Sequence, residues 1–114
     1  MNKYSEKELE DNILFFDESD WKKISWSQKL SEEFIEKHSD KVYWLWISAY
    51  QNLSEAFIEK YSDKVDWIDV SERQKLSEQF IEKHKDKIKI DLLIHNKNIS
   101  NKIKEEIRAL MEII

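Results

Sequence analysis

LSEEFIEKHSDKVYW, residues 30–44, returns almost unchanged as LSEAFIEKYSDKVDW at 53–67 and again as LSEQFIEKHKDKIKI at 76–90. The step is 23 residues both times, without insertion or deletion, and the first two copies agree at 12 of 15 positions. Repetition at a short fixed period implies stacked copies of one supersecondary unit, because a pair of short helices cannot bury its apolar face alone.

Each copy begins as a helix should. Ser31, Ser54 and Ser77 stand at N-cap positions with acidic residues directly after them, where carboxylates complement the helix dipole. Leu30 and Ile35, with their copies, have the spacing of a hydrophobic staple, and Phe34, Phe57 and Phe80 complete the buried face. The exit through Ser-Asp-Lys has no Gly, so Ser39, Asp40 and their equivalents are expected to end the helix through side-chain bonds to the backbone. In the second half of the unit, Trp44 and Ile47, and likewise Trp67 and Val70, lie three apart on one helical face. Read alone, VYWLWI at 42–47 would suit a buried strand. Its sibling VDWIDV places Asp66 and Asp69 three apart, which fits the polar side of a short helix. Ser48 to Gln51 and Ser71 to Gln74 match an S-x-x-Q capping box, leaving open a helix that runs on through the next LSE motif.

The register extends in both directions. Trp21, Ile24, Ser25 and Gln28 are in phase with Trp44, Ile47, Ser48 and Gln51, although LEDNILFFDESDW, counted from Leu9, is two residues shorter than its counterparts. Ile99 and Ser100 fall on the next beat, and ISNKIKEEIRALMEII lines up Ile99, Ile103, Ile107, Leu110, Met111 and Ile114 along one helical stripe. The sequence therefore predicts one all-α domain over 1–114: short helix-turn-helix repeats of 23 residues stacked into a compact α-solenoid. Its parts are an atypical acidic cap at 1–29, repeats at 30–52, 53–75 and 76–98, and a capping helix at 99–114. The apolar terminus, Leu110, Met111, Ile113 and Ile114, either caps the stack or pairs two chains into a homodimer.

Composition excludes whole classes of function. With no Gly and no Pro among 114 residues there is no nucleotide-cradling Gly loop and no tight hairpin; with no Cys there is no thiolate zinc site, disulfide or cysteine nucleophile. The longest apolar run, Val42 to Ile47, is six residues against the roughly 20 that span a bilayer, so no membrane partner is expected. The N-terminus shows no secretory pattern, which makes the cytoplasm the expected location. Residues 1–20 hold two basic and seven acidic side chains, and so carry the entire formal charge of −5. The remainder is balanced, 17 of each sign, the pattern of solvated helix faces rather than of a nucleic-acid footprint.

The consensus LSE-x-FIE-x(3)-DKV-x-W followed by IS-x(2)-Q resembles a short repeat carried by proteins of bacteriophages and large DNA viruses, over residues 21–98. The unit at 76–98 departs from it, with Ile90 for Trp and Ile94 for Ser, which puts its second helix in doubt. The resemblance implies no catalytic or binding residues. It implies a setting, in which small virus-encoded proteins bind and block a host protein such as a CRISPR or other defence component.

Recurring polar residues read as structure. His38 and His84 share a phase with Tyr61, a flat, partly polar position at a helix end, where His complements the dipole. Glu36 and His38 are two apart and point about 200° away from one another, so they do not chelate a metal. No metal and no cofactor is expected. The capping serines have no fixed His and Asp beside them, so an enzyme is not expected. The informative positions are those where one copy departs from the others. Tyr43, Trp46 and Tyr50 stand where the next copy has Asp66, Asp69 and Arg73, and Trp26 where later copies have Ala49 and Glu72. On one helix, Tyr43, Trp46 and Tyr50 would share a face, forming an exposed aromatic patch of the kind that anchors protein interfaces; the alternative is that they pack against the atypical first unit. Glu10, Asp11, Asp17, Glu18 and Asp20 are the expected electrostatic support, steering association with a basic, nucleic-acid-binding surface of a host protein.

Overall fold

The computed structural model describes residues 3–113, and the side chains of residues 3–109. Among them the chain is all-α, with nine helices and no strand: α1 (Glu6–Asn12), α2 (Glu18–Ser27), α3 (Glu32–Lys37), α4 (Trp44–Tyr50), α5 (Glu55–Lys60), α6 (Trp67–Arg73), α7 (Glu78–Lys83), α8 (Ile90–Leu93) and α9 (Asn101–Ile113), with a 3-10 turn at Ile13–Phe15. No described residue has a positive φ, which is how a chain without Gly makes every turn.

Capping serines start α3, α5 and α7. Their hydroxyls accept from the backbone N–H of Phe34, Phe57 and Phe80 at 3.1, 3.1 and 3.2 Å. Each is held in turn by a glutamate from the preceding unit: Glu32 accepts from the N–H and hydroxyl of Ser54, Glu55 from those of Ser77, and Glu6 from those of Ser31. The helix exits differ from expectation. They close through backbone turns, with Val42 N–H donating to the His38 carbonyl (3.0 Å) and Val65 N–H to that of Tyr61 (3.0 Å). The Ser39 and Ser62 carbonyls then accept the indole N–H of Trp44 and Trp67, both at 2.9 Å.

The S-x-x-Q motif is no capping box. Gln51 and Gln74 end α4 and α6 with extended backbone, and both side chains are buried. Gln51 donates to the carbonyls of Ser25 and Gln28 (2.8 and 2.7 Å) and accepts from Leu30 N–H (3.0 Å). Gln74 repeats this 23 residues later on Ser48, Gln51 and Leu53. Buried Ser25, Ser48 and Ser71 accept from the backbone N–H of Tyr43, Asp66 and Lys89. These bonds join α2, α4, α6 and α8, which pack each on the next. The core runs unbroken from Leu9 through Ile35, Ile47, Ile58, Val70 and Leu93 to Ile107. The molecule measures 54 × 27 × 19 Å, and its radius of gyration of 16.0 Å exceeds the roughly 13 Å of a spherical domain of this length.

The first unit is longer than its siblings, not shorter. Tyr4-Ser5-Glu6 is the counterpart of Leu30-Ser31-Glu32: Tyr4 N–H donates to Gln28 as Leu30 N–H does to Gln51, and Ser5 caps α1. From Tyr4 to Trp21 the chain therefore carries three more residues than from Leu30 to Trp44, accommodated by the 3-10 turn. Aligning on Leu9 hid this, because Leu9 occupies the Ile35 position. The second helix of the fourth unit does form, shortened to four residues. Asn96, one residue early and one methylene shorter than Gln, makes the ladder bonds to Ser71 and Gln74 at 2.8 Å each. Ser100 caps α9 by accepting from Ile103 N–H. The terminal residues expected to cap or dimerise, Leu110, Met111, Ile113 and Ile114, lie outside the described side chains.

Candidate functional site

The aromatic exceptions separate into two places. Tyr43 is not on the face of α4: it is the N-cap residue, extended and half-buried against the core. It borders a cleft with Phe16, Trp21 and His38 instead. For Tyr43 to share the face of Trp46 and Tyr50, α4 would have to begin one residue earlier than it does. Trp46 and Tyr50, four apart within α4, stack at 5.8 Å between centroids. Trp26, at the end of α2, meets the Tyr50 ring at 6.5 Å. Trp26 and Tyr50 are 43% and 50% exposed and Trp46 is half-buried, so the Tyr50 ring faces solvent while touching the first unit through Trp26, and Tyr43 packs against that unit.

The repeat explains why this surface is dispensable to packing. In α6 the positions of Trp46 and Tyr50 hold Asp69 and Arg73, an ion pair at 3.6 Å, and in α2 they hold Lys23 and Ser27. Arg73 reaches back over the Tyr50 ring, 5.4 Å from its centroid, extending the patch onto the neighbouring unit. Burial, reinforced by the nearby Asp66 carboxylate, pushes the Asp69 carboxyl up, while Arg73 pulls it the other way. Beyond Tyr50 an open groove continues past Asn52, Arg73, Lys75, His95 and Lys97. Arg73 was not legible as part of the site, since its role depends on a contact between units.

No family model, curated protein or solved structure matches the chain.

The acidic segment is largely engaged within the fold. Glu10 lies 2.7 Å from His38 Nε2 and 3.4 Å from Lys37, and the His38 hydrogen bond chiefly holds its carboxyl below the usual range. The same brace recurs as Glu59 with Lys83 and His84, and as Glu36 with Lys60 and Tyr61. The His and Tyr positions thus join units as well as end helices. Asp17 and Asp20 form a reciprocal capping box at the start of α2, and Asp11 pairs with Lys7. Glu18 alone of the five is exposed without a bond among the described residues. Asp17 also stands about 13 Å along α2 from Trp26, at the opposite end of the helix. Acidic groups and aromatic patch are therefore two surfaces. Among the described residues no group of His, Asp and Glu could hold a metal ion, and no helix is long and apolar enough to cross a membrane.

Proposed function

We propose that the chain is a non-enzymatic protein-binding module: a short α-solenoid whose recurring residues build the stack and whose Trp26, Trp46, Tyr50 and Arg73 contact a partner protein. The observation that carries this reading is the stack of half-buried Trp46 on exposed Tyr50, beside exposed Trp26, with Trp46 and Tyr50 at positions where neighbouring units manage with Lys, Ser, Asp and Arg. Aromatic rings and Arg recur at interface hot spots because they bury large area at little cost in side-chain entropy. The resemblance to viral repeats supplies the setting, a phage-encoded inhibitor acting on a host protein in the host cytoplasm. The acidic N-terminal segment is reduced to a steering role through Glu18.

The test is affinity capture from a bacterial lysate with wild type and a Trp26→Ala/Trp46→Ala/Tyr50→Ala variant, matched for helix content by circular dichroism. A protein retained by wild type and lost by the variant supports the site, and equal retention by both refutes it.

A further inference from the structure

The two ends of the molecule carry complementary defects of the repeat. In the second and third units a Trp indole packs on the next helix: Trp44 on Phe57 and Tyr61 at 6.1 and 5.1 Å, Trp67 on Phe80 and His84 at 6.3 and 5.7 Å. In the fourth unit these positions hold Ile90, Ile103 and Ile107, and no ring fills the space. Ile90 is 41% exposed. Ile81 is half-buried, whereas its counterparts Ile35 and Ile58 have no exposed surface. The Lys85 carbonyl, at the place of the Ser62 carbonyl that takes the Trp67 indole, meets no donor among the described residues. What remains is a cleft of about 790 Å³ walled by Ile81, Ile90, Leu93, Ile103 and Ile107.

At the other end, the three-residue insertion lifts Leu14 and Phe15 into solvent, 93% and 83% exposed, the most exposed large apolar side chains among the described residues. The turn is fixed on both sides. Ile13 and Phe16 pack on the core, Phe16 edge-on to Trp21 at 5.6 Å, and the Asp17 capping box follows at once. A pre-ordered apolar prong loses little entropy on docking. Units two and three stand between prong and cleft, so the prong of one chain cannot reach that chain's own cleft.

We propose that the Leu14–Phe15 prong of one chain seats in the Ile90 cleft of a second copy, with the Phe15 ring taking the place that a Trp indole holds in the preceding units. The contact is heterologous, so copies add head to tail rather than stopping at a symmetric pair. The cleft rim mixes Lys83 and Lys85 with Glu78, Glu82 and Glu106, so the attraction is apolar and persists in salt. Two side chains bury far less than the roughly 1,200 Å² of a stable interface, so association is weak and concentration-dependent.

Sedimentation velocity of the full chain from about 10 μM to about 1 mM covers the expected affinity range. Wild type should rise progressively in mass above 13.9 kDa. Phe15→Asp, which removes the prong, and Ile90→Trp, which fills the cleft, should each stay monomeric. Mixed in equal amounts they should form a one-to-one heterodimer and nothing larger, because each brings one working end. Ile90→Arg serves in place of Ile90→Trp if circular dichroism shows the latter misfolded. Wild type monomeric throughout overturns the proposal; so does a dimer insensitive to both substitutions, or a mixture that stays monomeric.

Discussion

At the scale of single residues, the fold depends most on a side chain whose sequence signature points elsewhere. Gln51 donates twice and accepts once inside the core, and S-x-x-Q read as a cap because spacing alone cannot say whether a polar residue bonds within its own helix or across to the previous unit. Gln51→Ala strands two buried carbonyls and a buried N–H and leaves a void. It should cost about 3 kcal/mol or more in urea unfolding. The N-caps were legible, since a Ser directly before an acidic residue at a helix start bonds locally. Ser54→Ala removes the cap of α5 and the anchor for Glu32, and should cost about 1–2 kcal/mol by the same measurement. The Glu32 bond itself was not legible, being a contact across units between residues 22 apart in sequence.

At the scale of elements, helices α3 to α7 were readable from periodicity and caps, and the doubt between strand and helix at 42–47 resolves in favour of α4 because Ile47 and Ser48 bury together while Leu45 faces out. The aromatic site was half legible. Departure from the repeat singles out Trp26, Trp46 and Tyr50, whose rings meet in the structure, but a one-residue difference in where α4 begins removes Tyr43 from the face. The three-residue insertion before α2 escaped because α1 shares little sequence with its siblings, and Leu9 mimics the wrong anchor. The Trp-to-Ile exchange at position 90 was visible, yet its consequence, an open cleft, needs the neighbouring Ile103 and Ile107 to be placed. Ile90→Trp should raise the unfolding free energy by about 1 kcal/mol, as a large side chain covers apolar surface that water now reaches; an unchanged or lower urea midpoint would mean the cleft does not accept a ring.

At the scale of the whole molecule, Glu10, Glu36 and Glu59 form a row of braces from unit to unit, each held below the usual carboxylate range by His38, Lys60 and Lys83 respectively as the leading partner. Carboxyls with lowered values stabilise the fold while ionised. Their contribution is complete above the ordinary value of 4.5 and fades as pH falls through the lowered ones. The melting temperature should therefore drop between pH 5 and about pH 3, and a Glu10→Gln/Glu36→Gln/Glu59→Gln variant should show a shallower drop. Identical slopes would assign acid sensitivity to other carboxylates. The proposed reading spans all three scales: residues that recur every 23 positions hold the molecule up, while Trp26, Trp46 and Tyr50, which break the recurrence, are spare for a partner. It is tested most directly by urea unfolding of Trp46→Asp/Tyr50→Arg, which gives α4 the pair that α6 already carries. The stability should stay within about 1 kcal/mol of wild type, as for surface changes away from the core, and a loss approaching that of Gln51→Ala would contradict the account by making the aromatic patch part of the core.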